Sequence, residues 1–189
     1  YQEFMRDLSE EIERENKIIN DLLDLVKLDK KGANLNIKSQ DVNELVERIL
    51  KRLQPLAAKS NIELVFESFR PVTAEIDEVK IALVITNLVE NAIKYNRPSG
   101  SVTVSIHSAE SAVLEVTDTG IGISPENQEK IFDPFYRVDK SRSRAMGGAG
   151  LGLALVSEIA RQHNGQVKVT QSSEKGSTIA LILPESTDY

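Results

Sequence analysis

Four polar side chains recur along one predicted helix at spacings that place them on a single face. Asn87, Glu90, Asn91 and Lys94 stand at positions i, i+3, i+4 and i+7, and at about 100° per residue they fall within an arc of about 100°. Asparagine is a poor helix former, so two of them on one face need a reason. Neutral oxygens suit Mg²⁺ when phosphates supply the negative charge, and lysine is a compact cation for phosphate. The face is a candidate ligand site, with a solvated amphipathic helix as the alternative.

Two glycine-rich segments could hold the rest of such a ligand. The first, 118–122, reads Asp-Thr-Gly-Ile-Gly and follows a predicted strand, and the second, 147–152, opens a predicted helix. A carboxylate at a strand end can accept a hydrogen bond from an exocyclic amine, and glycines let the backbone approach a flat ligand. Glycines at a helix N-terminus expose N–H groups to an anion such as phosphate. For the first segment the alternative is a plain turn, and for the second it is a flexible hinge.

A basic loop leads into the second glycine segment. Arg137, Lys140, Arg142 and Arg144 fall within eight residues, with only Asp139 to offset them. A solvated loop is the ordinary explanation of such a run, but the adjacent glycines favour a lid that contacts phosphate. Because the whole chain carries a net charge of −6, we expect no nucleic-acid partner.

The composition excludes several other chemistries. The chain of 189 residues has no cysteine and only two histidines, which rules out disulfides, thiol nucleophiles and a histidine-rich metal site. Neither G-x-G-x-x-G nor G-x-x-x-x-G-K-[ST] occurs, so the dinucleotide and P-loop fingerprints are absent. There is no apolar run of about 18 residues. The chain begins at Tyr1 without a signal-peptide pattern, and we expect it to be part of a longer protein.

Residues 1–29 have the apolar spacing of a long helix with a heptad seam. Additional apolar residues widen the seam, and a face this wide suits a helix bundle or a dimer. Packing of the helix on its own domain is the alternative. The seam residues are Tyr1, Met5, Leu8, Ile12, Glu15, Ile19, Leu22 and Val26, and the widening residues are Phe4, Ile18 and Leu25.

The rest of the chain predicts an α+β domain, a two-layer α/β sandwich preceded by the long helix. Asp41 is expected to cap a helix, and 77–95 and 150–163 are further predicted helices. Short alternating segments, antiparallel in character, predict the strands. They lie near 35–38, 62–66, 74–76, 101–106, 112–117, 167–170 and 178–183.

Four segments, taken in order, resemble the motifs of the sensor histidine kinases. Residues 87–95 resemble the family's N box, 118–122 the G1 box, 132–137 the F box and 148–153 the G2 box. All four stand in the family's order, and the resemblance covers essentially the whole chain.

The resemblance implies a division of the chain into functional parts. Residues 34–184 would form the catalytic ATP-binding domain, with the Bergerat-type sandwich of gyrase and chaperone ATPases, and 124–149 would be its ATP lid. Residues 1–29 would be the second helix of the dimerisation and phosphotransfer hairpin, joined to the domain by a linker at 30–33.

The resemblance also implies roles for individual residues. Glu90 would polarise or orient an attacking imidazole, and Asn91, with Asn87 beside it, would bind Mg²⁺. Asp118 would bind the adenine amino group. Phe132 and Phe135 would anchor the lid, and Lys140 or Arg142 would help to neutralise the polyphosphate. The remaining nucleotide contacts implied are Lys94, Tyr95, Gly120, Gly122, Phe135, Arg137, Gly148, Gly150, Leu151 and Gly152.

The chain departs from the family in its histidines. The family's phosphoacceptor lies on the first hairpin helix, and no such segment occurs here; His107 and His163 both read as structural. Ala149 and Asn96 stand where a hydroxyl residue is frequent in the family. We therefore expect the chain to bind ATP or ADP with Mg²⁺ but not to autophosphorylate.

The function implied is that of a protein-histidine kinase in two-component signal transduction. The γ-phosphoryl of ATP would pass to a histidine on the absent helix and then to a response regulator. A homodimer through residues 1–29 and a membrane-anchored parent, with this chain as a cytoplasmic region, are also implied. The alternatives are a nucleotide-gated binding module, a gyrase-like ATPase and a serine-kinase anti-sigma factor. Glu90 favours catalysis over the first, and the heptad helix argues against the last.

Overall fold

The computed structural model describes residues 2–29, 34–108, 110–139 and 148–184. These residues form α-helices, β-strands and two short 3-10 turns at Pro125–Asn127 and Lys130–Phe132. The helices are α1 (Gln2–Asp29), α2 (Val42–Lys59), α3 (Glu78–Lys94) and α4 (Gly152–Gln162). The strands are β1 (Ile37–Asp41), β2 (Glu63–Ser68), β3 (Thr73–Asp77), β4 (Ser101–Ser108), β5 (Ser111–Asp118), β6 (Gln166–Ser173) and β7 (Gly176–Pro184).

Five strands form one mixed sheet in the order β2-β4-β5-β7-β6. The β4–β5, β5–β7 and β6–β7 pairs are antiparallel, as the sequence pattern suggested. β2 and β4 instead pair in parallel, because the chain crosses over through β3 and α3 before it returns as β4. β1 and β3 form a separate antiparallel pair.

Helices α2, α3 and α4 pack on one face of the sheet and enclose an aliphatic core. Val84, Ile85 and Val89 of α3 are fully buried at helical spacing. On β4, Val102, Val104 and Ile106 are buried and the residues between them are not, as expected for a strand with one face on a core. The predicted α+β sandwich preceded by a long helix is confirmed.

Side-chain caps fix the starts of α2 and α3. Asp41 accepts a hydrogen bond from the Glu44 N–H (3.0 Å), and Asp77 accepts one from the Lys80 N–H (3.2 Å), so each satisfies a helix donor that would otherwise be unpaired. The buried His163 links α4 to the second cap, because its Nε2 accepts the Asp77 N–H (3.1 Å).

Helix α1 is buried most deeply against the domain at its C-terminal end. Leu28 is 3% exposed, and the Gln162 side chain donates a hydrogen bond to the Leu28 carbonyl (2.7 Å). Most of the predicted seam is open to solvent, so the described part of the domain does not cover it. The exposed apolar residues of α1 are Phe4, Met5, Leu8, Ile12, Ile19, Leu22, Leu23 and Val26. Among the described helices, none combines the length and apolar character needed to cross a membrane.

Leu155 of α4 provides a test of the core. It is fully buried, so Leu155→Ala should lower the free energy of unfolding by about 2–5 kcal/mol through lost packing and a residual cavity. Val79→Ala is the control, because Val79 is 76% exposed and its truncation should change stability by no more than about 0.5 kcal/mol. Urea unfolding followed by circular dichroism measures both. Equal losses in the two variants would contradict this packing.

Candidate functional site

The predicted site residues meet at one cavity of about 480 Å³. It lies between α3, the end of β5, the segment after it and the start of α4, and α1 forms a further wall. Among the described residues, Gly120, Phe132 and Phe135 are the predicted ones outside its lining. The predicted residues that line it are Asn87, Glu90, Asn91, Lys94, Tyr95, Asp118, Gly122, Arg137, Gly148, Gly150, Leu151 and Gly152.

Glycines allow α3 to come close to the segment that opens α4. A Cβ added to Gly152 would lie 2.7 Å from Asn87 Oδ1. One added to Gly148 would lie 2.8 Å from Lys94 Nζ, which is the end of a flexible side chain and can move, so the close approach depends on Gly152. Within the described ranges, no side chain caps the N-terminus of α4, whose first residues line the cavity. The unpaired N–H groups of a helix start favour an anion, so this end of the cavity suits phosphate.

Asn87 is oriented from within its own helix. The residue is 8% exposed, and its Nδ2 donates a hydrogen bond to the Leu83 carbonyl (2.9 Å), which directs Oδ1 toward Gly152. Within the described ranges no three His, Asp or Glu side chains cluster as a metal site. A divalent cation in this cavity would therefore need oxygens from the ligand itself, which suits neutral asparagine donors beside phosphates.

Asp118 is held by backbone donors from two different segments. Its Oδ1 accepts hydrogen bonds from the Gly120 N–H (2.8 Å) and the Ser177 N–H (3.3 Å), which fixes the plane of the carboxylate. Burial raises the pKa of Asp118 above its ordinary value, and these two hydrogen bonds oppose the rise. The Asp118 carboxylate is therefore an oriented hydrogen-bond acceptor in a partly desolvated environment.

The two glycines of the first glycine segment have different functions. Gly122 has a φ of +78°, and a Cβ there would lie 2.0 Å from the Ser173 carbonyl oxygen. Gly120 lies behind the cavity wall, where a Cβ would be 2.3 Å from the Tyr95 carbonyl oxygen. Gly120 therefore allows the close approach of α3 and β5, while Gly122 borders the cavity.

The segment between β5 and α4 differs in part from the predicted lid. Phe135 has a φ of +64° and is 60% exposed, so it does not act as an apolar anchor here; its N–H donates to the Gly150 carbonyl (3.0 Å) instead. Tyr136 donates to Asn127, and Ile131 lines the cavity. The predicted cations Lys140, Arg142 and Arg144 lie outside the described residues.

Arg137 presents a buried donor to this region. Its Nη2 is inaccessible to solvent and has no hydrogen-bond partner within the described ranges. A buried guanidinium donor without a partner is costly, and this one belongs to a residue that lines the cavity. An anionic ligand would satisfy it.

Sequence patterns missed two contributions to the site. Ser177 is buried, borders the cavity and donates to Asp118, but it sits in no recognisable motif; its position after Gly176 in the last hairpin is the only sequence signal. The second contribution is one stretch of α1. Its cavity-lining residues are Arg14, Lys17, Ile18 and Asp21.

An ion pair joins α1 to the predicted catalytic carboxylate. Lys17 Nζ lies 3.0 Å from Glu90 Oε2, with side chains that are 62% and 31% exposed. Burial raises the pKa of the neighbouring Asp21; Lys17 opposes the rise, and Asp24 and Glu90 add to it. An ion pair between α1 and α3, two elements distant in sequence, thus forms part of the cavity wall.

Comparison with known proteins defines the class. The family described as Histidine kinase-, DNA gyrase B-, and HSP90-like ATPase matches residues 76–187. The chain belongs to this ATPase family and contains the ATP-binding catalytic domain of a sensor histidine kinase.

Individual relatives agree with this class. The chain is 37% identical over 185 residues to the sensor histidine kinase WalK of Bacillus subtilis, covering 96% of this chain and 30% of WalK. It is similar in structure to full-length ShkA in complex with AMPPNP, with a TM-score of 0.81 and 26% identity, covering 91% of this chain and 36% of ShkA. The histidine kinase ThkA, in complex with response regulator protein TrrA, shares the fold at a TM-score of 0.78 and 24% identity, covering 97% of this chain and 51% of that one.

The raised pKa of Asp118 predicts how stability depends on pH. The folded chain binds this proton more tightly than the unfolded chain, so the contribution grows as the pH falls toward about 3.9 and is lost as the pH rises through the folded pKa. The free energy of unfolding of the wild type should therefore rise relative to that of Asp118→Asn between about pH 7 and pH 4. Urea unfolding at stepped pH without nucleotide measures the difference, and a difference that falls on acidification contradicts the environment described.

Proposed function

We propose that this chain binds Mg–ATP in the cavity and, within its parent, transfers the γ-phosphoryl to a histidine on the partner helix of the hairpin. The observation that carries the proposal is the convergence of the asparagine face, Asp118 and the start of α4 on one cavity. Phosphoryl transfer requires mainly positioning and charge stabilisation. A chain belonging to the ATPase family, with these residue types around one cavity, supplies both.

The geometry supports a division of labour around the nucleotide. Asp118, already oriented by two N–H groups, would accept the adenine amino group. Lys94, Arg137 and the N-terminus of α4 would bind the polyphosphate, with Gly148 and Gly150 allowing its close approach. Further contacts would come from Tyr95, Gly122, Leu151 and Gly152.

Magnesium would lie between the asparagine face and the phosphates. Asn91 would ligate it, with Asn87 beside it, and the ion would neutralise charge developing on the transferred group. Glu90 stands one residue before Asn91 on the same face, where it would polarise or orient the attacking imidazole.

The parts of the chain follow from this function. Residues 1–29 would be the second helix of the hairpin, 30–33 the linker, 34–184 the catalytic domain and 124–149 the ATP lid. The exposed apolar face of α1 would be covered by the other helix of the hairpin or by a second copy, as a bundle requires. A response regulator would take the phosphoryl group next, consistent with the complex that ThkA forms with TrrA. The parent would be membrane-anchored, with this region in the cytoplasm.

The alternative function is a nucleotide-gated module that binds ATP without productive transfer. The Lys17–Glu90 pair favours it, because a carboxylate paired with an ammonium group is less available to an imidazole. A transfer assay separates the two: the chain is mixed with a hairpin that bears the phosphoacceptor histidine and with radiolabelled ATP. Label on the hairpin that is lost in Glu90→Gln supports the kinase, and nucleotide binding without label supports the module.

Mg–ATP should stabilise the chain against heat. At a hundredfold excess over Kd, binding contributes about 2.7 kcal/mol, which corresponds to a rise in Tm of roughly 5–10 °C for a chain of this size. Asn91→Ala should reduce the magnesium-dependent part of the shift. Asn20→Ala, exposed on α1 and outside the cavity lining, should not. No shift in the wild type would overturn ATP binding by this chain.

Asp118→Asn should weaken nucleotide binding far more than it perturbs folding. The amide can still accept the Gly120 and Ser177 N–H groups, but it is a poorer acceptor for an amine and offers donors of its own. We expect at least a tenfold rise in the Kd for ATP, in line with the about 1.5–3 kcal/mol of a charge-assisted bond. Calorimetric titration measures the Kd. A variant that binds as the wild type does excludes Asp118 from base recognition.

Removing Lys17 should release Glu90 for transfer. The pair is exposed, so its interaction is at most about 1 kcal/mol and Lys17→Gln should raise labelling of the hairpin by no more than about fivefold. Lys27→Gln on the same helix is the control, because Lys27 is exposed and does not line the cavity. If the two variants label the hairpin at the same rate, the ion pair does not restrain Glu90.

A further inference from the structure

A compact hydrogen-bonded knot joins the end of α3 to the residue after Asp118. The Asn96 side chain is its centre: Nδ2 donates to the Ser101 carbonyl (2.9 Å), and Oδ1 accepts from the Arg97 N–H (2.8 Å) and from the Thr119 hydroxyl (3.0 Å). The Thr119 hydroxyl oxygen also accepts the Ser101 N–H (2.9 Å). Three segments, the end of α3, the start of β4 and the end of β5, are thus tied by two side chains.

Gly100 lies in close contact with the knot. A Cβ added to Gly100 would lie 2.2 Å from Asn96 Oδ1 and 2.5 Å from Thr119 Oγ1, so glycine is required for the two polar groups to meet. Backbone bonds reinforce the same junction, because the Thr119 N–H donates to the Ser101 carbonyl (3.2 Å) and the Ile121 N–H to the Tyr95 carbonyl (3.3 Å).

The opposite side of Asp118 is fixed by the turn between β6 and β7. A Cβ added to Gly176 would lie 1.9 Å from the Asp118 carbonyl oxygen, and the next residue, Ser177, donates its N–H to the carboxylate. Arg97, whose N–H belongs to the knot, also donates from its side chain to the Glu174 carbonyl in this turn. Asp118 is therefore held from two sides, by the turn between β6 and β7 and by the knot. The knot is the one that includes the end of α3, the helix that lines the cavity.

We propose that Asn96 and Thr119 are positioning residues that set the base specificity of the site by fixing the main chain that follows Asp118. The inference rests on the proposed function, since it concerns the same cavity. Neither residue lines the cavity, so neither acts by touching the ligand. Thr119 adjoins Asp118 and precedes Gly120, whose N–H orients the carboxylate (2.8 Å). A displaced Thr119 alters the direction in which the carboxylate meets an exocyclic amine.

Displacement of Asp118 should affect recognition of the base and not of the phosphates. An adenine amino group donates a hydrogen bond to Asp118, whereas hypoxanthine carries a carbonyl at that place and makes no such bond. The proposed phosphate contacts come from Lys94, Arg137 and the start of α4, and they do not depend on the direction of the carboxylate. Misalignment of Asp118 should weaken ADP binding and leave IDP binding nearly unchanged, so the ratio of the two affinities reports positioning.

The test compares Thr119→Val, Thr119→Ser, Asn96→Ala and Thr117→Val in the full chain. Kd values for ADP and IDP are measured by calorimetric titration with Mg²⁺, and stability is measured by urea unfolding. Thr119→Val should lower the preference for ADP about threefold or more, the factor expected for the loss of a good part of one hydrogen bond. Asn96→Ala should act in the same direction, and Thr119→Ser should restore the wild-type ratio because it keeps the hydroxyl.

Thr117→Val is the matched control. Thr117 lies two residues before Thr119, at the end of β5, is likewise exposed, and has a hydroxyl 2.9 Å from that of Thr178, outside the knot. Its replacement should change stability without changing the ratio. Equal ratios in Thr119→Val and wild type, or equal losses of ADP and IDP affinity, overturn the inference alone. A wild type that binds neither nucleotide overturns the proposed function, and one that binds both equally overturns the base recognition on which the inference depends.

Discussion

The close approach of α3 to the glycine segments is the constraint on which the cavity depends. At Gly152 and Gly120 an added Cβ would lie within 3 Å of α3 or of the residue that ends it. A methyl group at either place would force the elements apart, because the contacting atoms are a short side chain and a backbone carbonyl that cannot move aside. The glycines therefore set the distance between the asparagine face and the carboxylate at the end of β5. A ligand that spans this distance needs no rearrangement of the backbone.

Local features of this arrangement could be predicted from sequence because they depend on short-range periodicity. The polar face of α3 follows from helical spacing, and Asp41 from cap chemistry. The parallel pairing of β2 with β4 could not be predicted, since it depends on where the crossover through α3 returns. Phe135 was expected to anchor the lid; in the structure its positive φ and its bond to Gly150 turn the ring outward. Ser177 was missed because its contribution is a backbone N–H, which any residue type would supply.

The position of α1 shows how weak and strong contacts are distributed along one helix. Its C-terminal end is held by the burial of Leu28 and by a hydrogen bond from Gln162. Its middle meets the cavity through the exposed pair of Lys17 and Glu90, a class of interaction worth at most about 1 kcal/mol. Because the apolar seam is otherwise open, a partner that covers it can alter the middle of the helix without disturbing the anchored end. The contact of α1 with Glu90 is thus weaker than the contacts that hold the C-terminal end of the helix.

Asp118 illustrates why such a site is built into the fold rather than assembled on binding. Burial disfavours the charged carboxylate, which is why its pKa rises, and two backbone N–H groups recover part of that cost. The rest of this desolvation cost is offset when the chain folds, by burial of the core beneath the sheet. It therefore does not recur when a ligand binds. An amine that reaches the carboxylate then finds an acceptor already desolvated and oriented, so little of the interaction is lost to reorganisation. In our proposal, residues that do not line the cavity, such as Asn96 and Thr119, would act through this preorganised main chain.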